Sequence, residues 1–525
     1  MELMWSLMNL LLSPIWYADS LVLYPPFPPG PQRDFLTGNT LNIPVKKPWL
    51  KYSDWAEKYG LRIAGQGNVV IINSVDAARD LLERRGQIYS DRTFSMMDDL
   101  CVTATSSSDI YLIYAPRGGG MPYNNSLRKH RRLYQQNFGP TVVHKFQPVQ
   151  KRKIHDLVLN LVHTPEDFYK HVSTATGAII MSTMYGHDIE QTNDPFIEVA
   201  EKASSMRGIL LAPGKFPVSQ LPFARYFPSW APGCGFKQIA HLSREYTEEA
   251  QTRPFNFAMK QKMSGKATSL VADLVEQLLE DDPDYTEKLN VIRNMASTGY
   301  VAGAATTKSI ILTFILAMTL NPNIQAKAQE EIDRVIGAER LPEFSDRENL
   351  PYVEAVYRET MRWYPPVPLG TPRRAMQTDC YNGYCIPQGT TIYPNIWAMS
   401  RDETQYEEPH QFRPERFLSS ENSGINDILL FGFGRRICSG RYLADASVWM
   451  AIVSILATLR LEKAKDLEGN DIHVEGDYTD ELICFPRQFR CSITPRGPDI
   501  FSSLRRLREH EYQCYCIECP AKSIC

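Results

Sequence analysis

A ten-residue stretch late in the chain, FGFGRRICSG at residues 431–440, carries the pattern that decides the fold. Its three glycines surround Cys438, so the backbone can turn tightly and approach a flat, bulky group. The cysteine precedes a helical pattern that begins at Arg441, where free N–H groups and the helix dipole stabilise a thiolate. Arg436 supplies a cation for an anionic group. A lone cysteine in a turn is usually structural, but this combination predicts a thiolate ligand for haem iron, with an arginine for a propionate.

Two charged motifs precede this loop. ETMR at residues 359–362 places Glu359 and Arg362 three positions apart, on one helix face and within ion-pair reach. FRPERF at residues 412–417 follows after a predicted β-rich part. A Glu–Arg pair of this spacing occurs in many helices, so it indicates little by itself. We expect these residues to have a structural role rather than a catalytic one.

A long apolar segment at residues 292–320 predicts a helix that is buried on nearly all sides. Within it, AGAATT at residues 302–307 combines small side chains with two threonines. Such a stretch is more often a helix-packing surface when it stands alone.

These motifs and the cysteine loop resemble those of the cytochrome P450 family, in the same order along the chain. Residues 431–440 match its haem-binding signature F-x-x-G-x-R-x-C-x-G, and residues 359–362 match its E-x-x-R motif. Residues 412–417 match F-x-P-E-R-F, whose arginine completes a charge triad with the E-x-x-R pair. The resemblance covers residues 25–496. Within the family, the sequence is similar to the fungal, basidiomycete type related to O-methylsterigmatocystin oxidoreductase. It implies the cytochrome P450 fold: one large, mainly α domain with a small β-rich part.

The resemblance also implies a cofactor, haem b (iron protoporphyrin IX) with an axial cysteine thiolate. Its metal ligand is expected to be Cys438. Arginines at three separate places in the chain are expected to hold the propionates. The full set of implied cofactor-binding residues is Cys438, Arg436, Arg131, Arg373, Phe431, Gly434 and Gly440.

The stretch at residues 302–307 is similar to the oxygen-activation motif A-G-x-[D/E]-T-T of the family, which implies catalytic roles for Thr306 and Thr307 in proton delivery. Two departures from the family pattern stand out. Ala305 replaces the acidic residue of the motif, so one carboxylate of the proton relay is absent. Leu127 replaces the tryptophan of W-x-x-x-R and cannot donate a hydrogen bond to a propionate, although Arg131 is kept.

The composition narrows the class of protein. Lys and Arg total 57 against 60 Asp and Glu, a net charge of −3 that argues against a nucleic-acid partner. The hydrophobic share of 43% and the charged share of 22% fit neither a disordered chain nor a polytopic membrane protein. Eleven scattered cysteines, an odd number, do not make the framework of a small disulfide-rich fold.

The amino end, residues 3–18, is mostly apolar but marginal in length against the roughly 20 residues that span a bilayer. It predicts a membrane anchor or interfacial segment, with an apolar extension packed on the protein as the alternative. The prolines that follow favour a stiff strut, or else a simple loop. We expect four regions: anchor 1–23, proline-rich hinge 24–31, catalytic domain 32–496 and an unassigned Cys-containing tail 497–525.

The resemblance implies a haem-thiolate monooxygenase that inserts one oxygen atom from dioxygen into an apolar small molecule, as in terpenoid or aromatic tailoring in fungal secondary metabolism. Electrons are expected from NADPH through NADPH–cytochrome P450 reductase, since the chain has no dinucleotide-binding fingerprint. The expected location is the endoplasmic reticulum membrane, with the catalytic domain in the cytosol. Two alternatives stay open: a haem-thiolate isomerase or dehydratase that works without a reductase, and a haem-binding protein without catalysis.

Overall fold

Helices dominate the fold. The computed structural model describes residues 25–31, 44, 46–59, 63–66, 69–93, 121–189, 194–211, 226–231, 234–265, 269–337, 340–418 and 424–497. The α-helices in this part of the chain are α1 (Pro48–Lys58), α2 (Val75–Arg79), α3 (Asn125–Phe138), α4 (Gln147–His163), α5 (Phe168–Tyr185), α6 (Pro195–Leu211), α7 (Phe236–Met263), α8 (Leu270–Glu276), α9 (Tyr285–Leu320), α10 (Pro322–Val335), α11 (Pro351–Trp363), α12 (Ile396–Met399) and α13 (Arg441–Thr458). A π-helical turn, Asp80–Arg84, continues α2.

The strands are short and form three small sheets in the described part of the chain. They are β1 (Ile63–Gln66), β2 (Val69–Ile72), β3 (Arg373–Arg374), β4 (Asp379–Tyr381), β5 (Tyr384–Ile386), β6 (Thr391–Pro394), β7 (Leu459–Lys463) and β8 (Cys491–Pro495). The largest sheet has the order β1-β2-β6-β3, while β4 pairs with β5 and β7 pairs with β8.

The four-stranded sheet joins distant parts of the chain. Strand β2 runs parallel to β6, with Val70 opposite Ile392, and both residues are completely buried. On the other side of β6, β3 pairs antiparallel and brings Arg373 opposite the same isoleucine. The β-branched apolar residues of β2 and β6 suit a buried sheet. Their pairing therefore fixes where Arg373 lies.

Helices α9 and α13 lie in the main core, and α9 packs tightly on α5. A Cβ on Gly299 would overlap Cε of Met184, and one on Gly303 would lie 3.1 Å from Cδ1 of Ile180. Two small residues four positions apart thus let the two helices approach closely. Both α9 and α13 are long and apolar enough to cross a membrane, but most of each apolar window is buried inside the protein, as in core helices.

The predicted fold class, mainly α with a small β-rich part, is confirmed. The predicted hairpin at residues 381–384 is β4 and β5, joined by Asn382 and Gly383. The long apolar helix begins at Tyr285 rather than at Ile292, because its first turns carry polar residues that an apolar pattern does not detect. The expected anchor 1–23 and residues 498–525 of the expected tail lie outside the described residues.

Candidate haem site

The cysteine loop packs directly against the π-helical turn Asp80–Arg84. Gly434 has a φ of 51°, in the left-handed region that favours glycine. A Cβ at this position would overlap the carbonyl oxygen of Leu82 and lie 3.0 Å from Cα of Glu83. Glycine is therefore required here both by backbone conformation and by the closeness of a second backbone segment.

The loop closes between the Phe431 carbonyl, which accepts a 2.8 Å hydrogen bond, and the Cys438 N–H that donates it. Phe431 itself is buried in the main core. Gly440 follows at the N-cap of α13 with a φ of −93°, a conformation open to any residue. Its role differs from that of Gly434, because its N–H group faces the Cys438 sulfur and stabilises negative charge there.

The surroundings of the Cys438 thiol oppose its ionisation. Burial raises the pKa of the Cys438 thiol, and this rise prevails over the opposing effects of the Gly440 N–H, Arg441 and Arg131. Yet Cys438 is exposed in the bare polypeptide. Protein atoms thus surround the thiol, although the residue as a whole keeps some contact with solvent.

Helix α9 has an opening in its packing, a short stretch of less buried residues between buried ones. Ala302 is exposed and the positions from 303 to 306 are partly exposed, although Met295 and Ile311 on either side are completely buried. At this opening the Thr306 hydroxyl donates a 2.7 Å hydrogen bond to the Ala302 carbonyl. The structure thus places Thr306 at the opening of the helix.

The second predicted catalytic threonine has different surroundings. Thr307 is only 6% exposed and lies on another face of α9. Ala305, half-buried beside the opening, contributes only a methyl group where the family pattern has a carboxylate. Thr306 is therefore the better placed of the two residues for proton transfer.

The three predicted propionate-binding arginines come together. Arg373 donates 2.6 Å to the Phe433 carbonyl, and Arg131 donates 2.9 Å to the Ile437 carbonyl. Arg436 donates a 2.7 Å hydrogen bond to the carbonyl of Ser90. Backbone carbonyls of the cysteine loop and of the segment after α2 thus position all three guanidinium groups.

A fourth arginine that the sequence analysis missed, Arg92, belongs to the same cluster. It is 5% exposed and donates to the carbonyls of Thr371, at 2.8 Å, and Pro372. Arg92 lies in the segment that leads from the π-helical turn towards β3, and the path of this segment sets its position. No local sequence pattern reveals it, because the groups that it meets lie hundreds of residues away along the chain.

These four arginines, Arg92, Arg131, Arg373 and Arg436, repel one another. Burial, followed by the charges of Arg436 and Arg131, lowers the pKa of Arg373 to about 9. Burial and the other three arginines lower the pKa of Arg92 as well, although Asp91 opposes this effect. Several buried cations in one place favour a ligand with more than one negative charge. The four cations and the thiol of Cys438 therefore fit haem, which carries two propionates and an iron ion.

The replacement of tryptophan by Leu127 leaves Arg131 in place. Leu127 is 1% exposed, and its N–H donates to the capping side chain of Asn124 at the start of α3. Helix α3 is thus anchored by packing and by a cap, and it still directs Arg131 to the cysteine loop. Arg92 is a further cation close to Arg131.

The predicted charge triad behind the site is confirmed. Glu359 accepts two 2.7 Å hydrogen bonds from Arg362 and a 3.3 Å bond from Arg416. Arg362 also donates to the carbonyls of Ser400 and Pro409. The triad therefore ties α11 to the segments on either side of residue 412, which supports a structural role.

A basic surface lies next to the cysteine loop. The guanidinium groups of Arg128 and Arg435 lie 5.3 Å and 5.5 Å from the centre of the Tyr123 ring, and both arginines are exposed. Arg441 donates 2.9 Å to the Cys438 carbonyl. Cations thus surround the exposed side of the loop.

Comparisons with known proteins point to one family. The family model "Cytochrome P450" matches residues 28–476. The chain is similar to cytochrome P450 monooxygenase COX1 of Coprinopsis cinerea, with 36% identity over 495 residues, covering 92% of this chain and 93% of that protein. It is 37% identical over 480 residues to cytochrome P450 monooxygenase 176 of Postia placenta, covering 90% of each chain. It is 35% identical over 493 residues to cytochrome P450 monooxygenase ple1 of Rhodocybe pseudopiperita, covering 91% of each chain.

Proposed function

This chain belongs to the cytochrome P450 family, and on that premise we propose that Cys438 is the axial ligand of its haem b. The enzyme is a monooxygenase, and the members of its family bind haem through a cysteine thiolate. The observation that carries the assignment is the Cys438 thiol in a loop that also positions a cluster of four arginines, three of them buried. Haem held by a thiolate supplies activation of dioxygen for insertion of one oxygen atom into a C–H bond.

Other residues of the chain orient the cofactor, stabilise the thiolate and transfer protons. Arg92, Arg131, Arg373 and Arg436 hold the propionates and so fix the orientation of the cofactor. The Gly440 N–H stabilises the thiolate form of Cys438. Thr306 would hold and pass on a proton at its hydroxyl, which the Ala302 carbonyl orients. With alanine at position 305, protons reach Thr306 through water or a substrate group.

An apolar substrate is the best match for the opening of α9. Ala302 and Ala305 share the face of α9 on which Thr306 lies, and neither carries an ionisable group, so this wall favours binding of a hydrocarbon surface. We therefore propose an apolar small molecule, such as a terpenoid or an aromatic compound of fungal secondary metabolism. The monooxygenases of basidiomycete fungi to which the chain is similar support this setting.

The electron donor proposed here is NADPH–cytochrome P450 reductase. Its docking site would be the basic surface formed by Arg128, Arg435 and Arg441, close to the Cys438 carbonyl. A surface of this sign attracts an acidic partner and accelerates association at low salt. Reduction of the haem should accordingly slow as ionic strength rises.

Membrane attachment through the amino end is part of the same proposal. Eukaryotic members of this family are generally membrane-associated. The proline-rich segment at residues 25–31 forms no helix. A segment of this kind suits a strut between an endoplasmic reticulum anchor and a cytosolic domain. A variant without residues 1–23 should move from the membrane fraction to the soluble fraction and keep its haem; an unchanged distribution would contradict the anchor.

The proposal is tested by expressing the full chain with a fungal reductase and a panel of terpenoid and aromatic compounds. We expect NADPH-dependent product with one added oxygen atom, and the carbon monoxide spectrum of a thiolate-bound haem. Cys438→Ser should abolish both, whereas Cys234→Ser, at a buried cysteine in another part of the fold, should change neither. An unchanged spectrum in Cys438→Ser would refute the ligand assignment.

A second candidate function is a haem-thiolate isomerase or dehydratase that needs no reductase. The specific observation in its favour is the methyl group of Ala305 at the opening of α9, where a proton-relay carboxylate is missing. The same compounds should be incubated with the purified protein alone. Product formed without NADPH and without reductase would support this function in place of the first.

A further inference from the structure

The hairpin β4–β5 brings two cysteines to directly opposite positions. Its register pairs Asp379 with Ile386, Cys380 with Cys385, and Tyr381 with Tyr384. The connecting residues, Asn382 and Gly383, have φ values of 50° and 80°, as in the two-residue turn that closes tight hairpins. A turn of this kind fixes the register, so the two cysteines stay opposite each other.

Neither cysteine N–H bonds across the hairpin. The Cys380 N–H donates 2.9 Å to the Asp379 carboxylate, and the Cys385 N–H donates 2.9 Å to the carbonyl of Pro26. The two residues thus form a non-hydrogen-bonded pair, in which Cα atoms are about 4.5 Å apart and side chains share one face. A disulfide spans Cα separations of about 4.4–6.8 Å. The backbone can therefore accommodate a bond between the two sulfurs.

The two thiols also differ in accessibility. Both are free in this structure; Cys380 is exposed and Cys385 is buried. Burial raises the pKa of the Cys385 thiol, and the neighbouring Cys380 raises it further. One thiol is thus open to a reagent from solution, with the second within its reach.

We propose that Cys380 and Cys385 form a site of reversible oxidation, at which hydrogen peroxide converts the two thiols into a cross-strand disulfide. The Cys380 sulfur attacks one peroxide oxygen, the O–O bond breaks, and a sulfenic acid and water form. The Cys385 sulfur then attacks the sulfenic sulfur, the S–O bond breaks, and the hydroxyl leaves as water with the Cys385 proton. In total, two thiols and one peroxide give one disulfide and two waters, and a thiol reductant reverses the change.

The geometry points to a labile disulfide rather than a permanent structural one. The expected Cα separation lies at the short limit for a disulfide. The closed loop is also very short, so the bond constrains the unfolded chain little. Both effects make a disulfide easier to reduce and give it a more oxidising potential. A pair of this kind responds to the redox state of its surroundings.

Oxidation of this pair would stiffen a junction between two parts of the protein. On one side, the Cys385 N–H donates a hydrogen bond to the Pro26 carbonyl in the proline-rich segment. On the other, Asp379 accepts bonds of 2.9 Å and 2.8 Å from Arg85 and one of 2.9 Å from Tyr89. Tyr89 directly precedes the residue whose carbonyl positions Arg436. The hairpin thus lies between the proline-rich segment and the arginine cluster.

The test uses the full-length, haem-loaded protein, treated with hydrogen peroxide, alkylated and digested with trypsin. Both cysteines fall in one tryptic peptide, residues 375–401. We expect this peptide to escape alkylation, to be lighter by two hydrogens, and to become alkylated after treatment with a thiol reductant. Hydrogen exchange at the amide of Cys385 should slow in the oxidised protein. The carbon monoxide spectrum, measured on the same sample, reports whether the fold is intact.

Single substitutions separate the pair from other cysteines. Cys380→Ser and Cys385→Ser should each abolish the lighter peptide, whereas Cys234→Ser should leave it unchanged. If residues 375–401 of the unsubstituted protein remain fully alkylated after treatment with peroxide, the proposal is wrong. A lighter peptide that persists in Cys380→Ser would also overturn it. None of these outcomes depends on substrate turnover, so they are independent of the proposed function.

Discussion

Glu359 and Arg362 form a two-pronged ion pair in the interior of the protein, with both N–O distances at 2.7 Å. Glu359 is completely buried and Arg362 is 5% exposed. The carboxylate also accepts a 2.7 Å bond from the N–H of Arg413 and a 3.3 Å bond from Arg416. Every member of this network is thus satisfied by a partner from a different segment, which makes removal of the single anion costly.

Glu359→Gln should therefore destabilise the protein strongly. The substitution leaves two buried guanidinium groups without their counter-charge, for which we expect a loss of about 3–5 kcal/mol in the free energy of unfolding. The measurement is urea denaturation of the haem-loaded protein. As a control, Glu249→Gln removes an exposed carboxylate 3.1 Å from Arg253 and should cost less than about 1 kcal/mol. Equal losses in the two variants would contradict a role for burial.

Gly434→Ala should prevent the cysteine loop from folding against the π-helical turn. The positive φ adds strain of about 1–2 kcal/mol, and the new Cβ overlaps the carbonyl of Leu82. Backbone cannot move aside as a flexible side chain can, so we expect little haem in the purified variant. Gly235→Ala is the matched control, because φ is −56° there and the space is open. A normal haem content in Gly434→Ala would show that the loop tolerates displacement.

Two adjacent arginines of β3 test the propionate assignment. Arg373 is buried and Arg374 is exposed, so Arg373→Gln should weaken haem binding while Arg374→Gln should not. Loss of a charged hydrogen-bond donor costs about 1.5–3 kcal/mol, or roughly tenfold to a hundredfold in affinity. Transfer of haem to apomyoglobin measures the difference. Equal rates of haem loss in the two variants would exclude Arg373 as a propionate partner.

Thr306→Ala tests proton delivery without disturbing the helix. We expect the product formed per NADPH consumed to fall roughly tenfold or more, with an unchanged haem spectrum, and Thr306→Ser to restore it. Thr319→Ala is a close control on the same helix, since Thr319 donates 2.8 Å to the carbonyl four residues earlier. That variant should lose about 1 kcal/mol of stability and keep its coupling of NADPH to product. Similar coupling in both variants would remove Thr306 from the mechanism.

The parts of the site that lie close together in the sequence were predictable. Cys438 and Arg436 are two residues apart, and Glu359 and Arg362 are one helical turn apart, so local geometry already fixes their relation. The hairpin at residues 381–384 was predictable for the same reason, because a two-residue turn determines its own register.

The convergence of the arginines could not be predicted from spacing. Arg92 and Arg373 meet because β2 pairs with β6 and β6 pairs with β3, and these pairings depend on long-range burial. Arg92 carries no local signal of this environment. The start of α9 at Tyr285 was missed because its first turns are polar and carry no apolar pattern.

In the proposed site, the cluster of four guanidinium groups would make haem a counter-ion as well as a cofactor. A ligand that binds only the folded chain stabilises it by about 1.4 kcal/mol for each tenfold excess over its dissociation constant. Without that ligand, the cofactor-free chain must tolerate four like charges within one desolvated region. The supply of porphyrin in the cell should therefore determine how much of this enzyme escapes degradation, in addition to how much of it is active.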